Sequence, residues 1–277
     1  MTKVLIKEDN LWKKYSKNNI TIFYCGYFYS HSISEIVESI SSQLIENFKQ
    51  MIQNIDGHFS LVIVKKNVTI VAVDKIRSTP LFFTKIDDTF YIDNNPTRLV
   101  TNDNFVNDID HEATLEVSMS GYTIGSKTIY KNLSSLKAGE LAIFKENSCT
   151  IHQYFKYYPS SEDNRVDYVG DLSKLTIKIF KKMLDSIGSR QIIIPLSAGN
   201  DSRLVASVLR ELGATNVVCY SYGLAGNFEA KTAKLIAEKL GYKWFFVPLN
   251  YKSEKIFYKS DEYKKYCKFS ETFCSVP

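Results

Sequence analysis

Six consecutive residues, Ser197-Ala198-Gly199-Asn200-Asp201-Ser202, have the types and spacing to hold an anionic ligand at close range. Small residues let backbone N–H groups approach an anion, and the Ser197 and Ser202 hydroxyls can donate hydrogen bonds to phosphate oxygens. Asp201 is itself an anion and does not favour bare phosphate; its natural task is to hold Mg2+ against phosphates. Arg203 either adds positive charge or faces solvent. No Gly-Lys-Ser/Thr follows, which excludes a Walker loop. The bland alternative is a structural turn before a capped helix.

The elements around this run would position it. Gln191–Leu196 (QIIIPL) reads as a short, wholly apolar strand, and Ser202–Leu212 as a helix whose positive end faces the same spot. In open α/β sheets, ligands bind beyond the carboxyl ends of strands, where this run lies. A helix is expected over Leu172–Ile187, strands over Asn216–Tyr222 and Lys243–Leu249, and a helix over Asn227–Leu240. That β-α-β-α-β order implies a parallel sheet with right-handed crossovers. A strand as apolar as the first suits a central position covered on both faces.

The first half has a different grammar. Strand-like runs are expected at Ile20–Tyr24, His58–Val64, Val68–Val73, Leu81–Phe83, Phe90–Ile92, Glu140–Phe144 and Thr150–Tyr154. Ile36, Ile40, Leu44, Phe48 and Met51 form one helical stripe, and Asp110 caps a short helix to Met119. Lys156–Arg165 reads as a linker, which divides the chain into residues 1–155 and 170–277.

Composition narrows the classes. At 277 residues and 44% hydrophobic, the chain can bury real cores. A net charge of +5, from 35 basic and 30 acidic residues, is too mild to imply nucleic acid. The basic stretch Lys252–Lys268 also carries Glu254, Asp261 and Glu262 and reads as a solvated helix face. Five scattered cysteines (25, 149, 219, 267, 274) show no CxxC pair, so neither zinc nor a disulfide framework is indicated, and a reducing cytoplasm fits. The histidines at 31, 58, 111 and 152 lie too far apart in sequence to suggest a metal site. No signal peptide and no membrane span is expected.

The hexapeptide resembles the SGGxDS pyrophosphate loop of the N-type ATP pyrophosphatases, with Ala198 at that pattern's first glycine. Its surroundings resemble the asparagine synthetase family. Ser221-Tyr222-Gly223 ends the second strand, where that family places adenine and ribose, and Glu229-Ala230 through Leu240-Gly241 looks like its E..A…A..LG helix. Upstream, Asp56–Ile63 resembles the family's L.G.FA strand, Val73–Phe82 its RD..G..PLY turn, and Thr128–Glu140 its closing T…I..L.PGE segment. The resemblance implies an Ntn-hydrolase-like αββα glutaminase-type domain, then a partial doubly wound, HUP-like α/β domain. It implies ATP and Mg2+ as cofactors, with Ser197, Ala198, Gly199, Asn200, Asp201, Ser202, Ser221 and Gly223 on the nucleotide and Asp201 on the metal. The implied activity is ATP-dependent amide ligation between a small carboxylate and an amine or ammonia.

The departures qualify that implication. The family's glutaminase uses an N-terminal cysteine, whereas this chain begins Met1-Thr2-Lys3. Cys25–Ser30 stands where the family has NGEIYN, after only about 24 residues, as if the first layer of the glutaminase fold were lost. Cys25 is expected to be a buried thiol and glutamine hydrolysis to be absent. A second acidic metal position, a lysine and an acceptor pocket would lie beyond Ser275-Val276-Pro277, which makes a second polypeptide a possible partner. A non-catalytic nucleotide-binding scaffold and one piece of a split enzyme remain open. A tRNA-modifying or NAD-forming pyrophosphatase fits less well, because such proteins usually lack the upstream motifs.

Overall fold

The computed structural model describes residues 1–29, 32–42, 48–159 and 167–270. Ser30, His31, Leu44, Cys274, the Ser275–Pro277 end and residues 160–165 of the expected linker lie outside the described residues. Two compact units divide the chain, Met1–Pro159 and Ser160–Lys268.

The first unit contains two sheets. One has the strand order β10-β9-β5-β4-β3-β2, made of β2 (Trp12–Lys17), β3 (Ile20–Phe28), β4 (Gly57–Lys65), β5 (Val68–Val73), β9 (Glu140–Lys145) and β10 (Ser148–Gln153). The other has the order β1-β7-β6-β8, from β1 (Thr2–Val4), β6 (Phe82–Ile86), β7 (Thr89–Asp93) and β8 (Leu133–Ser135). Strict alternation along the strands builds the layers. Ile20, Ile22, Leu61, Ile63, Ile70 and Leu141 point to one side, where α1 (Ile33–Ser42) and α2 (Phe48–Asn54) deliver Ile36, Val37, Ile40, Phe48 and Ile52. Cys25, Val62, Val71, Ala142 and Phe144 point to the other side and meet Leu81, Phe90 and Ile92 of the smaller sheet. On that sheet's outer face, Leu99 of α3 (Pro96–Val100) packs with Ile86 and Leu133.

This is an αββα sandwich with both sheet layers present. The expected loss of the first layer is therefore corrected. The polar β2 (WKKYSK) and the three-residue β1 supply edge strands that have no apolar alternation to betray them. The single expected helical stripe corresponds to two helices, α1 and α2, on either side of residues 43–47. Asp110 caps α4 (His111–Ser120) as expected, its carboxylate accepting from Ala113 N at 3.0 Å.

Two backbone crossings pin the β3–β4 pair. Gly26 has φ +105, and a Cβ there would lie 1.9 Å from the His58 carbonyl oxygen. A Cβ on Gly57 would lie 2.1 Å from the Tyr27 carbonyl oxygen. Only glycine allows either approach.

The second unit holds a parallel sheet of order β11-β12-β13: β11 (Ile192–Pro195), β12 (Val217–Gly223) and β13 (Lys243–Pro248). Before it runs α5 (Tyr168–Ile187), and the crossovers are α6 (Asn200–Glu211) and α7 (Phe228–Leu240). Ala230, Ala233 and Ala237 are all buried, so α7 lies close on its sheet. Among the described residues β11 is an outer strand and β12 the central one, contrary to expectation. Its composition suits burial on both faces, yet Ile193 is 61% exposed while Ile194 is buried. The polar stretch from residue 252 onward forms helices α8 (Tyr251–Tyr258) and α9 (Asp261–Ser270).

Candidate functional site

The Ser197–Ser202 run follows directly from the carboxyl end of β11, as its sequence requires. The helix begins two residues earlier than expected: Gly199 is the N-cap and Asn200 the first helical residue, which moves Ser202 into the first turn of α6. No side chain caps this helix. Its first N–H groups therefore keep their capacity to bind an anion. The turn is held by its own serines. Ser197 N donates to Ser202 Oγ at 3.1 Å, the two hydroxyls lie 3.0 Å apart, and Gly199 N donates to Ser197 Oγ at 3.1 Å. The Ser202 hydroxyl also lies 3.5 Å from the Ser197 carbonyl oxygen, which it can donate to, so the two hydroxyls are engaged within the turn.

Gly199 has φ −69, and Ala198 is not among the residues with positive φ, so the alanine's Cβ imposes no backbone strain. A Cβ on Gly199 would sit 3.1 Å from Ser197 Oγ, which ties the glycine to this serine clasp. Asp201 is exposed in the first turn of α6, and the Arg203 guanidinium donates to Asn200 Oδ1.

A cleft of about 150 Å³ opens between the ends of β11 and β12, lined by Pro195, Leu196, Ser197, Tyr220, Ser221, Tyr222, Glu229 and Ala230. That is less than the roughly 300–1,000 Å³ of typical small-molecule sites. It suits one moiety of a larger ligand whose remainder lies outside. Of the sequence-predicted positions, Ser197 and Ser221 line this cleft, and Ala198 through Ser202 continue from it into α6. Gly223 is not among the lining residues. It ends β12 at φ +131, where a Cβ would approach Asn227 Nδ2 to 3.0 Å, and Asn227 in turn caps α7.

Ser221 is 6% exposed and doubly engaged. Its hydroxyl donates to the Leu196 carbonyl at 2.6 Å and accepts from Trp244 Nε1 at 3.0 Å. It therefore fixes the strand end immediately before the turn. Trp244 was invisible as a site residue in the sequence, where it is one aromatic in an apolar run; the signal lay in its β13 register, opposite Cys219 and two residues before Phe246, which is paired with Ser221.

Among the described residues no group of three His, Cys, Asp or Glu side chains is placed to hold a metal. Asp201 would offer a single carboxylate. That donor set fits Mg2+, which commonly takes one or two carboxylates and completes its shell with phosphate and water oxygens.

Among the described residues the first unit offers no activated thiol. Cys25 is 5% exposed in the inter-sheet core, with Thr79 Oγ1 at 3.8 Å, and burial pushes its pKa up. Burial raises Cys149 to about 11 and shifts Cys219 upward as well. The turn after β5 is built around buried Asp74, whose carboxylate accepts from Phe59 N at 3.0 Å, Ile76 N at 2.8 Å and Ser78 N at 3.1 Å. Arg77 stands at the glycine of the RD..G..PLY pattern and has φ 60, the left-handed conformation for which glycine is best suited.

Residues 24–155 match the glutamine amidotransferase domain family. The first unit thus carries a domain of the glutamine amidotransferase class. Within that class the region is asparagine-synthetase-like: a probable asparagine synthetase (glutamine-hydrolysing) of Acanthamoeba polyphaga mimivirus is 32% identical over 107 residues, covering 35% of this chain. The match spans about a fifth (20%) of that relative's length. Among solved structures, the glutamine PRPP amidotransferase from B. subtilis, complexed with ADP and GMP, is 12% identical over 91% of this chain and 76% of its own, with a TM-score of 0.32. A structure titled as the allosteric regulatory enzyme of purine biosynthesis is 13% identical over 84% of this chain and 61% of its own, with a TM-score of 0.30. These similarities are too distant to carry the fold, which rests on the sheets and layers described above. No described helix is long and apolar enough to cross a membrane.

Proposed function

We propose that this chain is an asparagine-synthetase-like, ATP-dependent amide ligase whose amidotransferase-type unit does not hydrolyse glutamine. The observation that carries the reading is the Ser197–Ser202 turn, which joins a parallel strand to an uncapped 12-residue helix beside a cleft lined by Ser197, Ser221 and Glu229. In this reading the cleft takes part of the nucleoside, and the first N–H groups of α6 take the β,γ-phosphates. Asp201 would hold Mg2+, which would neutralise phosphate charge when bound. A small-molecule carboxylate attacks the α-phosphorus, forming an acyl-adenylate and releasing pyrophosphate. Ammonia or an amine then attacks the acyl carbon, giving the amide, AMP and a proton.

The reading that glutamine is not hydrolysed is supported by three of the described cysteines. A catalytic thiol must ionise near neutral pH, whereas burial holds Cys25, Cys149 and Cys219 protonated. A second reading, a non-catalytic nucleotide-binding scaffold, is favoured by the turn's self-satisfied serine clasp.

ATP–pyrophosphate exchange, assayed with a panel of small carboxylates and Mg2+, separates the two readings. Ligase function predicts exchange that Asp201→Asn reduces by about tenfold or more. Calorimetric ATP binding without exchange would leave the scaffold or one piece of a split enzyme, and no binding at all removes both main readings.

A further inference from the structure

Glu229 is the only charged side chain among the residues lining the cleft at the ends of β11 and β12. Both serines of that lining are already committed. Ser221 donates to the Leu196 carbonyl and accepts from Trp244, and the Ser197 hydroxyl is engaged within its own turn. Glu229 is exposed, and among the described residues it makes no hydrogen bond and no ion pair. Its place in the fold does not account for it. It lies in the first turn of α7, but Asn227 caps that helix, its side-chain oxygen accepting from Ala230 N at 2.7 Å. One turn further on stand Thr232 and Ala233, neither of which is a cation that could pair with it along the helix.

A carboxylate beside a turn suited to anions repels a bare phosphate. It becomes favourable only when the ligand brings donors to it, because a carboxylate can only accept. The covalent order of a nucleotide says which donors those are. Phosphate is bonded to sugar, and sugar to base. Ser197, which opens the turn, and Glu229 line the same small cleft, so the moiety between them is the one bonded directly to the phosphates. That moiety is the sugar. A ribose presents two adjacent hydroxyls, and a carboxylate presents two oxygens that can take both as charge-assisted hydrogen bonds. An acidic side chain on a ribose hydroxyl is a pairing that other open α/β sheets also use.

We propose, resting on the nucleotide reading of this cleft, that Glu229 is a specificity-determining residue: it accepts hydrogen bonds from the 2′- and 3′-hydroxyls of the ligand's ribose and so selects ribonucleotides over their deoxy counterparts. A ligand that lacks either hydroxyl leaves one carboxylate oxygen without its donor in a site that already holds phosphate charge. The selection therefore comes from the unmatched carboxylate as well as from the lost bond.

The test is calorimetric titration of the full chain, with Mg2+, by ATP, 2′-deoxy-ATP, 3′-deoxy-ATP and inosine triphosphate, which keeps the ribose and lacks the amine of the base. Each deoxy analogue should bind about tenfold or more weakly than ATP, and inosine triphosphate should bind like ATP. Glu229→Gln, which keeps one carbonyl oxygen, should narrow the preference, and Glu229→Ala should abolish it. The readout is the ratio of affinities. A change in helix stability or turn geometry weakens all these ligands alike and leaves the ratio where it was. Glu229 lies on the surface, so both variants should retain the parent's circular dichroism. ATP binding with no preference for the ribose, or a preference that survives Glu229→Ala, would overturn the proposal and leave the nucleotide reading standing. A loss that follows inosine triphosphate instead of the deoxy analogues would put the carboxylate on the base and overturn it equally. No binding of any of these ligands would remove the nucleotide reading and this proposal with it.

Discussion

At the scale of single residues, the sequence announced a tight strand-to-helix turn at Ser197–Ser202 and concealed what holds it. Serine, glycine and aspartate are informative because few side chains suit a tight turn before a helix. Ser221 shows the opposite case. The family resemblance assigns it to the nucleotide, and it does line the cleft, but its hydroxyl proton is donated to the Leu196 carbonyl. Asp74 carries the clearest residue-scale energetics. Three backbone N–H groups converge on its buried carboxylate. Asp74→Ala leaves them without that acceptor, which costs on the order of 3 kcal/mol. Asp74→Asn, which keeps one carbonyl oxygen, should recover part of the loss; urea denaturation of both variants measures the difference.

The buried thiols make a second residue-scale prediction. Burial raises Cys149 from 9.0 to about 11 in the folded chain. Between those values the unfolded chain sheds a proton that the folded chain keeps. The contribution to stability is therefore complete below pH 9 and is lost as pH climbs toward about 11. Tyr154, Cys25 and Cys219 are shifted the same way by burial and steepen the fall. Urea midpoints should decline across that alkaline window, and less steeply in Cys149→Ala. A flat profile in the parent would contradict the assignment.

At the scale of elements, periodicity found what has a buried face and missed what does not. β4, β5 and β9 were legible because alternate residues enter two different cores. β1, β2 and β8 are short or polar, and α3 has five residues, too few for a helical period to register. β11 misled because its apolar run implies two covered faces, and the described sheet covers one. The α6 boundary moved because Gly199 caps without a side chain, leaving no polar signature in the sequence. The β12–β13 register supplies the element-scale prediction. Trp244 Nε1 bonds to Ser221 Oγ, and Ser221 bonds to the strand end ahead of the turn. Trp244→Phe frees the serine, and Ser221→Ala frees Leu196. Each should weaken ATP–Mg2+ binding by roughly tenfold, the effect of about one lost hydrogen bond, with little change in circular dichroism. Unchanged affinity in both variants would show that the turn keeps its geometry unaided.

At the scale of the whole molecule, the change of grammar between the halves was legible because period-2 alternation gives way to alternating strands and helices. Each half has its own core: one set of clusters lies between Val4 and Phe155, the other between Ile177 and Trp244. The chain's two tryptophans fall one in each, Trp12 between the two sheets and Trp244 in β13. Separate cores predict separate unfolding transitions, each reported by its own indole. The second unit has a three-stranded sheet with one bare face, so it buries less apolar surface per residue and should unfold at lower urea. Trp12→Phe leaves Trp244 as reporter, and Trp244→Phe leaves Trp12. The Trp12→Phe substitution should weaken the first unit while leaving the Trp244 midpoint in place, because no core residue is shared. Coincident transitions in the two variants would mean that the units unfold as one, and would remove the separate-core account.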